Sequence, residues 1–234
     1  MFELRTGFLD ALYPLGCRLC GAGLEIDTLG CAAHPLELDR ELPRCGRCAA
    51  QLAPALPDGG LCPACRREPP RFERALCVGS YRSGLSDWLL AFKHGGRRDL
   101  AQALGALLAE RLLERGARGR LVPVPLHPLR RFERGYDQAA LLAGELARRT
   151  GMSTSAALRR ARATRPQGSA LSLSRAANVH GAFRLGPFAR RSLAGQEVWL
   201  VDDVLTSGST ADECARVLLH AGAVSVGVAV VARA

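Results

Sequence analysis

The segment at residues 198–210 reads VWLVDDVLTSGST, and it decides the predicted fold of this chain. Its first four residues, 198–201, are apolar and predict a buried strand, and a helical pattern at 210–221 follows. Between the two lie the paired acids Asp202 and Asp203 and a short turn that is rich in hydroxyl groups. In α/β sheets, ligands bind beside the carboxyl ends of the strands. The segment therefore predicts a binding loop between a strand and a helix.

The turn is suited to a phosphate monoester. A helix N-terminus offers free backbone N–H groups and the positive end of its dipole, and hydroxyl groups add further donors. No lysine follows the glycine, which excludes a Walker loop. Acids beside a phosphate would repel it unless they bound another part of the ligand, and vicinal ribose hydroxyls are suitable donors. A ligand-free, Asp-capped turn is the alternative. The residues predicted around the phosphate are Thr206, Ser207, Gly208, Ser209 and Thr210.

Outward from this loop, residues 72–234 alternate between strand and helix patterns. The predicted strands are 75–81, 121–124, 198–201 and 224–231, and the predicted helices are 84–92, 100–114, 138–149 and 210–221. A strand, a helix and a strand joined by short connections imply a right-handed parallel crossover. The expected fold is therefore α/β, a parallel sheet flanked by helices.

The N-terminal part of the chain has a different composition. Of nine cysteines, eight precede residue 78, and most of these fall in C-x-x-C pairs. Without a secretion signal, this spacing favours metal thiolates over disulfides. We predict a small zinc module at residues 1–70, a linker at 66–70, and a main domain at 71–234. Cys77, on a strand pattern, and Cys214, inside a helix, are expected to be buried thiols.

Two zinc ribbons are predicted, because paired ligands on tight turns complete a tetrahedral site. Sequential pairing is favoured over interleaved pairing, which stays open. Four protein ligands make a zinc site structural, and metal binding then supplies folding energy. His34 stands where a cysteine is more usual, so a metal-free loop is the alternative at the first site. The first set is Cys17, Cys20, Cys31 and His34, and the second is Cys45, Cys48, Cys62 and Cys65.

Positive charge is concentrated in one part of the chain. The net charge is +10, with 31 Arg and one Lys; residues 111–190 hold 16 Arg against 4 acids, whereas residues 1–68 hold 7 Arg against 9 acids. Such a field attracts nucleotides, diphosphates or nucleic acid. A solvated surface in a compositionally biased genome is the alternative. No apolar run approaches the roughly 20 residues that span a bilayer, and a cytoplasmic location is expected.

Other residues are predicted to complete the pocket. The proline-bounded segment with Pro125 and Leu126 is followed by Arg130 and Arg134, which suit a diphosphate. Arg130 and Arg134 are the first choices, and Arg131 could simply be solvated. Lys93, the single lysine, follows a helical pattern and either binds substrate or only balances the charge of the helix end.

The polar segment 159–178 is the last predicted wall. It contains Arg159 and Gln167, without clear periodicity. It could close over a bound diphosphate as a lid. It could equally form a ledge for single-stranded nucleic acid, although aromatic stacking residues are missing there.

Taken in order, these motifs resemble the ComF family of bacterial competence proteins over essentially the whole chain. The motifs are the cysteine pairs, KHGGR, VPVPLHPLRRFERGYDQ, RPQGSALS and the VDD loop. The loop at 198–210 resembles the signature of type I phosphoribosyltransferases, which bind phosphoribosyl diphosphate (PRPP). The resemblance implies that Asp202 and Asp203 hold the ribose, that 206–210 hold the 5′-phosphate, and that the loop after Val122 binds pyrophosphate with Mg²⁺. Ser207 departs from the commoner threonine but keeps the hydroxyl.

The resemblance leaves two functions open. One is phosphoribosyl transfer, a pentosyl transfer in which Arg130 and Arg134 stabilise the leaving group; no general base for an acceptor stands out. The chain lacks an N-terminal catalytic cysteine and a glutaminase-sized domain, which counts against a complete amidophosphoribosyltransferase. The other is a non-catalytic DNA-uptake factor that binds single-stranded DNA and a helicase. A zinc ribbon that docks a protein partner suits either.

Overall fold

A computed structural model describes residues 16–22, 30–36, 38, 42–126, 132–161, 179–187 and 189–234. The strands in these ranges are β1 (Arg74–Ser80), β2 (Arg120–Pro123), β3 (Ser153–Thr154), β4 (Leu158–Arg160), β5 (Phe183–Leu185), β6 (Glu197–Leu205) and β7 (Ser225–Arg233). Five of them form one parallel sheet in the order β1-β7-β6-β2-β3, and β4 pairs antiparallel with β5. The α/β fold predicted from the sequence is confirmed.

Helices cover both faces of the sheet. They are α1 (Pro63–Arg67), α2 (Ser83–His94), α3 (Leu100–Glu114), α4 (Gln138–Thr150), α5 (Ala189–Leu193) and α6 (Ser209–His220). Side chains along a strand point alternately to opposite faces. In β6, Val198 and Leu200 accordingly pack on the α6 side, whereas Trp199 and Val201 pack against α2, α3 and α4. The central strand is therefore buried on both faces, as its apolar run predicts.

The central strand is longer than its apolar run. It remains paired with β7 as far as the register Leu205↔Arg233. Asp202 and Asp203 therefore lie within the strand rather than after it. Pairing through the backbone does not require apolar side chains, which is why the sequence pattern ends earlier. Helix α6 begins at Ser209, one residue before the prediction. Cys77 and Cys214 are 3% and 0% exposed, as predicted.

The cysteine-rich segment packs against the sheet and its helices. Leu19, Leu36 and Leu38 contact the core cluster that includes α2 and α3. Arg97, after α2, donates hydrogen bonds to the carbonyls of Arg18 and Leu19. The boundary between residues 70 and 71 stays a prediction. Within the described ranges, no helix is long and apolar enough to cross a membrane.

Candidate functional site

An acid pair and a lysine meet near the carboxyl end of β6. The side-chain Nζ of Lys93 lies 3.1 Å from Oδ1 of Asp203, and the two side chains are only 19% and 12% exposed. Lys93 is in the last turn of α2, which packs on the face of the sheet beside β6. A cation in a helix C-terminal turn is also favoured by the helix dipole. Its place in the last turn of α2 agrees with a role in balancing the charge of the helix end, and substrate binding by Lys93 stays a prediction.

The second acid, Asp202, has a strongly perturbed titration. The pKa of Asp202 is raised to about 7, first by burial and next by the neighbouring Asp203 carboxylate. The backbone N–H of Asp203, which donates to Asp202 Oδ1 at 2.9 Å, and the charge of Lys93 act in the opposite direction. A carboxyl group that titrates near neutrality can both accept and donate hydrogen bonds. Such a perturbed group at a strand end marks a candidate ligand site.

The turn after β6 has the backbone of an anion cradle. Gly208 is left-handed, with φ +83°, and precedes Ser209 at the start of α6 without any side-chain cap on the helix. The hydroxyls of Ser207 and Ser209 lie 3.0 Å apart. Within the described part of the chain, the backbone N–H groups of Ser207, Gly208 and Thr210 have no acceptor. Uncapped N–H groups at a helix start are suited to bind a phosphate.

The segment after β2 forms a second wall of this region. Its backbone continues beside β6, since the N–H of Val124 donates to the carbonyl of Val201 at 2.9 Å. The N–H of Leu126 then points to Oδ2 of Asp137 at 3.4 Å. Asp137 also caps α4 through Ala140, at 3.1 Å. Pro125 and Leu126 therefore lie beside Asp137, whose charge is among the influences that raise the pKa of Asp202.

A small polar network joins the start of α4 to the end of α2. Arg134 donates to Oε1 of Gln138 at 3.3 Å, and the Gln138 amide donates to the carbonyl of Lys93 at 3.5 Å. The hydroxyl of Tyr136 donates to the carbonyl of Phe92. Gln138 is 2% exposed, so this network is an internal support of the site. Sequence reasoning missed Tyr136, Asp137 and Gln138 as site residues, although the Y-D-Q run directly precedes a strong helical pattern.

The remaining predicted walls are less completely described. Arg159 lies exposed in β4, opposite Arg184 of β5. Among the described residues, no hydrogen bond or ion pair joins Arg159 to the acid pair. Arg130 and Gln167 lie outside the described residues, as does most of the polar segment between β4 and β5. Their roles stay predictions.

The eight predicted metal ligands form two clusters in sequential order. In each cluster the candidate ligand atoms all lie within 4.8 Å of one another. Zinc bound at about 2.3 Å to sulfur places tetrahedral sulfur atoms about 3.8 Å apart. The Sγ atoms of Cys20 and Cys31 are 3.6 Å apart, and those of Cys48 and Cys62 are 3.7 Å apart. His34 Nδ1 lies 3.5 Å from Cys31 Sγ. Both clusters therefore fit a zinc ion.

The electrostatics of both clusters favour thiolates on their first cysteines. Burial raises the pKa of Cys17, but backbone N–H groups from Cys31, Cys20 and Leu19 outweigh it and lower the pKa to about 6. In the second cluster, burial raises the pKa of Cys45, and backbone N–H groups that include that of Cys62 lower it to about 7. Thiolates are the form that binds zinc.

Comparisons with known proteins agree with this geometry. A family model described as the phosphoribosyl transferase domain matches residues 137–234. DNA utilization protein YhgH from Salmonella typhimurium is 34% identical over 223 residues, which cover 91% of this chain and 94% of that protein. Competence protein F from Haemophilus influenzae is 28% identical over 225 residues, 93% of this chain and 96% of that protein. This chain belongs to the ComF family. Among solved structures, the glutamine PRPP amidotransferase from B. subtilis is similar over 60% of the ComF chain and 30% of its own, with 22% identity and a TM-score of 0.41.

The structure of this ComF protein brings most predicted pocket residues to one end of the sheet. The acid pair, the turn at residues 206–210 (predicted as the phosphate turn), Lys93 and the Pro125–Leu126 segment lie around the carboxyl end of β6, and Arg134 joins them through Gln138. The domain match begins at Asp137 and includes both acids and the turn. Lys93 and all eight metal ligands precede the matched residues.

Proposed function

We propose that this ComF protein binds PRPP or a related sugar phosphate at the carboxyl end of β6, through the loop at residues 198–210. One observation carries the proposal: an acid pair, in which Asp203 is buried and Asp202 is partly buried, and an uncapped helix N-terminus follow each other on one continuous stretch of backbone. Asp203 is paired with Lys93, and the turn that follows offers free N–H groups. Anion donors beside carboxylates suit a ligand that carries phosphate at one end and hydroxyls at the other.

Each part of the ligand has a chemically matched surface. The N–H groups and hydroxyls of residues 206–210 would hold the 5′-phosphate, aided by the dipole of α6. Asp202 and Asp203 would accept hydrogen bonds from the ribose hydroxyls. Lys93 reduces the negative charge that an approaching phosphate meets. These roles use the carboxylates for the sugar and keep them away from the anion.

The diphosphate would lie toward Pro125, Leu126 and the arginines that follow. Arg130 and Arg134 both suit a diphosphate, because a guanidinium donates two hydrogen bonds in one plane. Mg²⁺ would accompany PRPP, and the oxygen atoms of the diphosphate are the hard ligands that it prefers. The bound ion would neutralise charge on the diphosphate.

Phosphoribosyl transfer is the reaction that this site would support. A nucleophile would form a bond to ribose C1 while the bond from C1 to the diphosphate oxygen breaks, and pyrophosphate would leave with the electron pair. Arginine side chains near the leaving group would stabilise its charge. No described residue is placed as a general base for an acceptor, so the proposal concerns binding first and transfer second.

A second candidate function is binding of single-stranded DNA together with a helicase partner. It is favoured by the names of the relatives, which refer to DNA utilization and competence, and by the 16 Arg against 4 acids at residues 111–190. A basic field of this kind binds polyanions with little sequence preference. The sugar-phosphate site and a DNA surface are compatible in one protein.

Calorimetry with PRPP and Mg²⁺ tests the first proposal. The wild type is compared with Asp202→Asn/Asp203→Asn and with Glu114→Gln, a control that removes an exposed acid paired with Arg111. We expect the paired substitution to reduce affinity at least tenfold and the control to leave it unchanged. Absence of PRPP binding to the wild type at millimolar concentration would contradict the proposal. Pyrophosphate release, measured with candidate acceptor bases, tests transfer.

Titration with single-stranded DNA at two salt concentrations tests the second candidate. Affinity that falls steeply with salt and survives the acid-pair substitution would support a separate nucleic-acid surface. DNA binding that is lost together with PRPP binding would instead place both ligands at the loop. No DNA binding at low salt would argue against the second candidate.

A further inference from the structure

The second cysteine cluster contacts the base of the phosphate turn through one arginine. Arg233, the last residue of β7, donates from Nε to the carbonyl of Cys48 at 2.9 Å and from Nη1 to the carbonyl of Leu205 at 3.1 Å. Cys48 is a candidate metal ligand, and Leu205 directly precedes the turn at 206–210. A single guanidinium therefore bridges the cysteine turn and the strand end from which the phosphate turn starts.

A second connection runs through the segment that joins the cysteine-rich region to the sheet. Arg47, inside the same cysteine turn, donates to the carbonyl of Pro70 at 2.9 Å and to that of Phe72 at 3.1 Å. Arg71 lies between Pro70 and Phe72 in the sequence. Its backbone N–H donates to Asp212 at 2.6 Å, and its guanidinium pairs with the same carboxylate. Asp212 lies in the first turn of α6, the helix whose N-terminus forms the cradle.

The aromatic ring of Phe72 completes this second connection. Phe72 is 1% exposed, and a Cβ built on Gly208 would lie 3.7 Å from its ring. Gly208 is the left-handed residue on which the phosphate turn depends. Phe72, whose carbonyl accepts a hydrogen bond from Arg47, therefore lies beside the turn at Gly208.

A third arginine holds the cysteine turn on the sheet. Arg44 is 9% exposed, and it donates to the carbonyl of Ala49 at 3.0 Å and to the hydroxyl of Ser80 at 3.1 Å. Ser80 ends β1 and pairs in register with Arg233 of β7. Ala49 has a left-handed backbone, with φ +55°, in a turn whose carbonyls face these arginines. The arginines can bind this turn only while it keeps its folded shape.

Metal binding is what can keep that shape. The buried residues of the segment's own apolar cluster are three cysteines and one leucine, namely Cys45, Cys62, Cys65 and Leu52. Such a cluster buries too little apolar surface to fold alone, and in small modules of this kind metal binding supplies the folding free energy. The shape of the cysteine turn, and with it the bonds from Arg233 and Arg47, would then depend on the metal.

We infer that a metal ion at Cys45, Cys48, Cys62 and Cys65 positions the phosphate turn through Arg233 and Arg47, so that occupancy of the cluster sets the affinity for a sugar phosphate. The inference rests on the proposed function and extends it by assigning the cysteine cluster to the ligand site. Arg233 and Arg47 act as positioning residues, because they hold backbone carbonyls and leave the cradle N–H groups free. The other cluster contacts Arg97 instead, and in the described residues it has no bond to the phosphate turn.

Calorimetry with ribose 5-phosphate, the smallest ligand for the turn, tests this inference on full-length zinc-loaded protein. Arg233→Gln keeps all eight metal ligands, so we expect unchanged zinc content and about tenfold weaker binding, the size expected from losing charged hydrogen bonds. Arg233→Lys should recover part of the affinity, since an ammonium can reach one of the two carbonyls. Arg115→Gln is the matched control: Arg115 pairs with Asp58 of the same segment at 3.2 Å but has no bond to the phosphate turn.

Hydrogen exchange of residues 206–210 gives a readout that needs no ligand. We expect faster exchange in Arg233→Gln and in protein stripped of zinc by a chelator, and wild-type exchange in Arg115→Gln. Equal ribose 5-phosphate affinity and equal exchange in wild type, Arg233→Gln and zinc-free protein would overturn the inference while leaving the proposed function intact. Failure of the wild type to bind both ribose 5-phosphate and PRPP would remove the proposed function, and the exchange experiment would still decide whether the cluster positions the turn.

Discussion

Lys93 Nζ lies 3.1 Å from Asp203 Oδ1, so the only lysine of the chain neutralises one of the two adjacent acids. The chain otherwise uses arginine for its positive charges, with 31 of them. A lysine ammonium is compact and directs three donors around one point, whereas a guanidinium requires a planar fork. Lysine at this position neutralises Asp203 and leaves the second acid and the neighbouring turn accessible to a ligand.

Removing the Lys93 side-chain charge should destabilise the folded protein. Asp203 is 9% exposed, so Lys93→Met leaves a largely buried carboxylate without its partner. We expect the free energy of unfolding to fall by about 2–4 kcal/mol at neutral pH, as for other broken buried pairs. Lys93→Arg should lower the free energy of unfolding by less, because the positive charge beside Asp203 remains. Urea denaturation measures both values.

The companion variant Asp203→Asn makes this prediction specific. In the Asp203→Asn background, Lys93→Met should lower the free energy of unfolding by at least about 1 kcal/mol less than in the wild type, because no buried carboxylate is left without a partner. If the two substitutions were additive, the ion pair would contribute nothing beyond the packing of its two side chains.

Asp202→Asn should stabilise the protein at alkaline pH. The pKa of Asp202 is raised from 3.8 to about 7, mainly by burial, so the folded state holds a proton that the unfolded state releases. The resulting cost to the folded state is absent below about pH 4, grows as the pH rises from 4 to 7, and is constant above pH 7. We expect the variant to gain about 1–3 kcal/mol in free energy of unfolding at pH 8, and almost nothing at pH 4.

Chemical denaturation at both pH values, with wild type in parallel, measures this gain. The same variant should bind PRPP more weakly, because a carboxylate acceptor for a ribose hydroxyl is lost. A loss of stability at pH 8 would show that the carboxyl group is held by favourable contacts that outweigh its burial.

Metal analysis should find two zinc ions per chain, released at different rates. The first cluster is the more open, since Cys20 is exposed and Cys31 is half-buried, whereas Cys45, Cys62 and Cys65 of the second are buried. A chelator should therefore remove one equivalent quickly and the other slowly. Cys31→Ser should abolish the fast phase, and a single phase of one equivalent would show that the site with His34 does not bind zinc.

Periodicity and spacing were sufficient for the four long strands of the sheet, its four long helices and the grouping of the metal ligands, whereas β3, β4, β5, α1 and α5 are too short for a periodic pattern and were missed. Apolar runs predict buried strands because a central parallel strand is covered on both faces, as Leu200 and Val201 are. Ligands that are close in sequence lie on the same tight turns, so sequential grouping of cysteines follows from short-range geometry. These features depend on residues near one another along the chain.

Contacts between distant residues could not be read in the same way. The partner of Lys93 is 110 positions away, and the arginine that reaches Cys48 comes from the last strand, so only the folded chain shows these pairs. The strand β6 extends past its apolar run because backbone pairing is indifferent to side-chain polarity. Tyr136 and Gln138 were missed for a related reason: their partners are backbone carbonyls of α2, which carry no sequence signal.

Two glycine-to-alanine substitutions should have opposite effects on stability. Gly208 has φ +83°, in the left-handed region where a Cβ is strained, and an added Cβ would lie at ordinary contact distance from Phe72. Gly208→Ala should therefore lower the free energy of unfolding by about 1–2 kcal/mol, from backbone strain alone. Gly144 lies on the exposed side of α4, and a Cβ there meets nothing within 4 Å. Gly144→Ala should raise the free energy of unfolding by about 0.5–1 kcal/mol.

The same two variants should also differ in their affinity for a sugar phosphate. If the left-handed turn at Gly208 aims the N–H groups at a phosphate, the strain of Gly208→Ala is relieved by moving those groups, and affinity for a sugar phosphate should fall at least tenfold. Gly144→Ala should leave affinity unchanged, because α4 contributes to the site only at its first residues. Calorimetry and denaturation on the same two variants measure both effects. Wild-type affinity in Gly208→Ala would mean that the ligand is held elsewhere than by this turn.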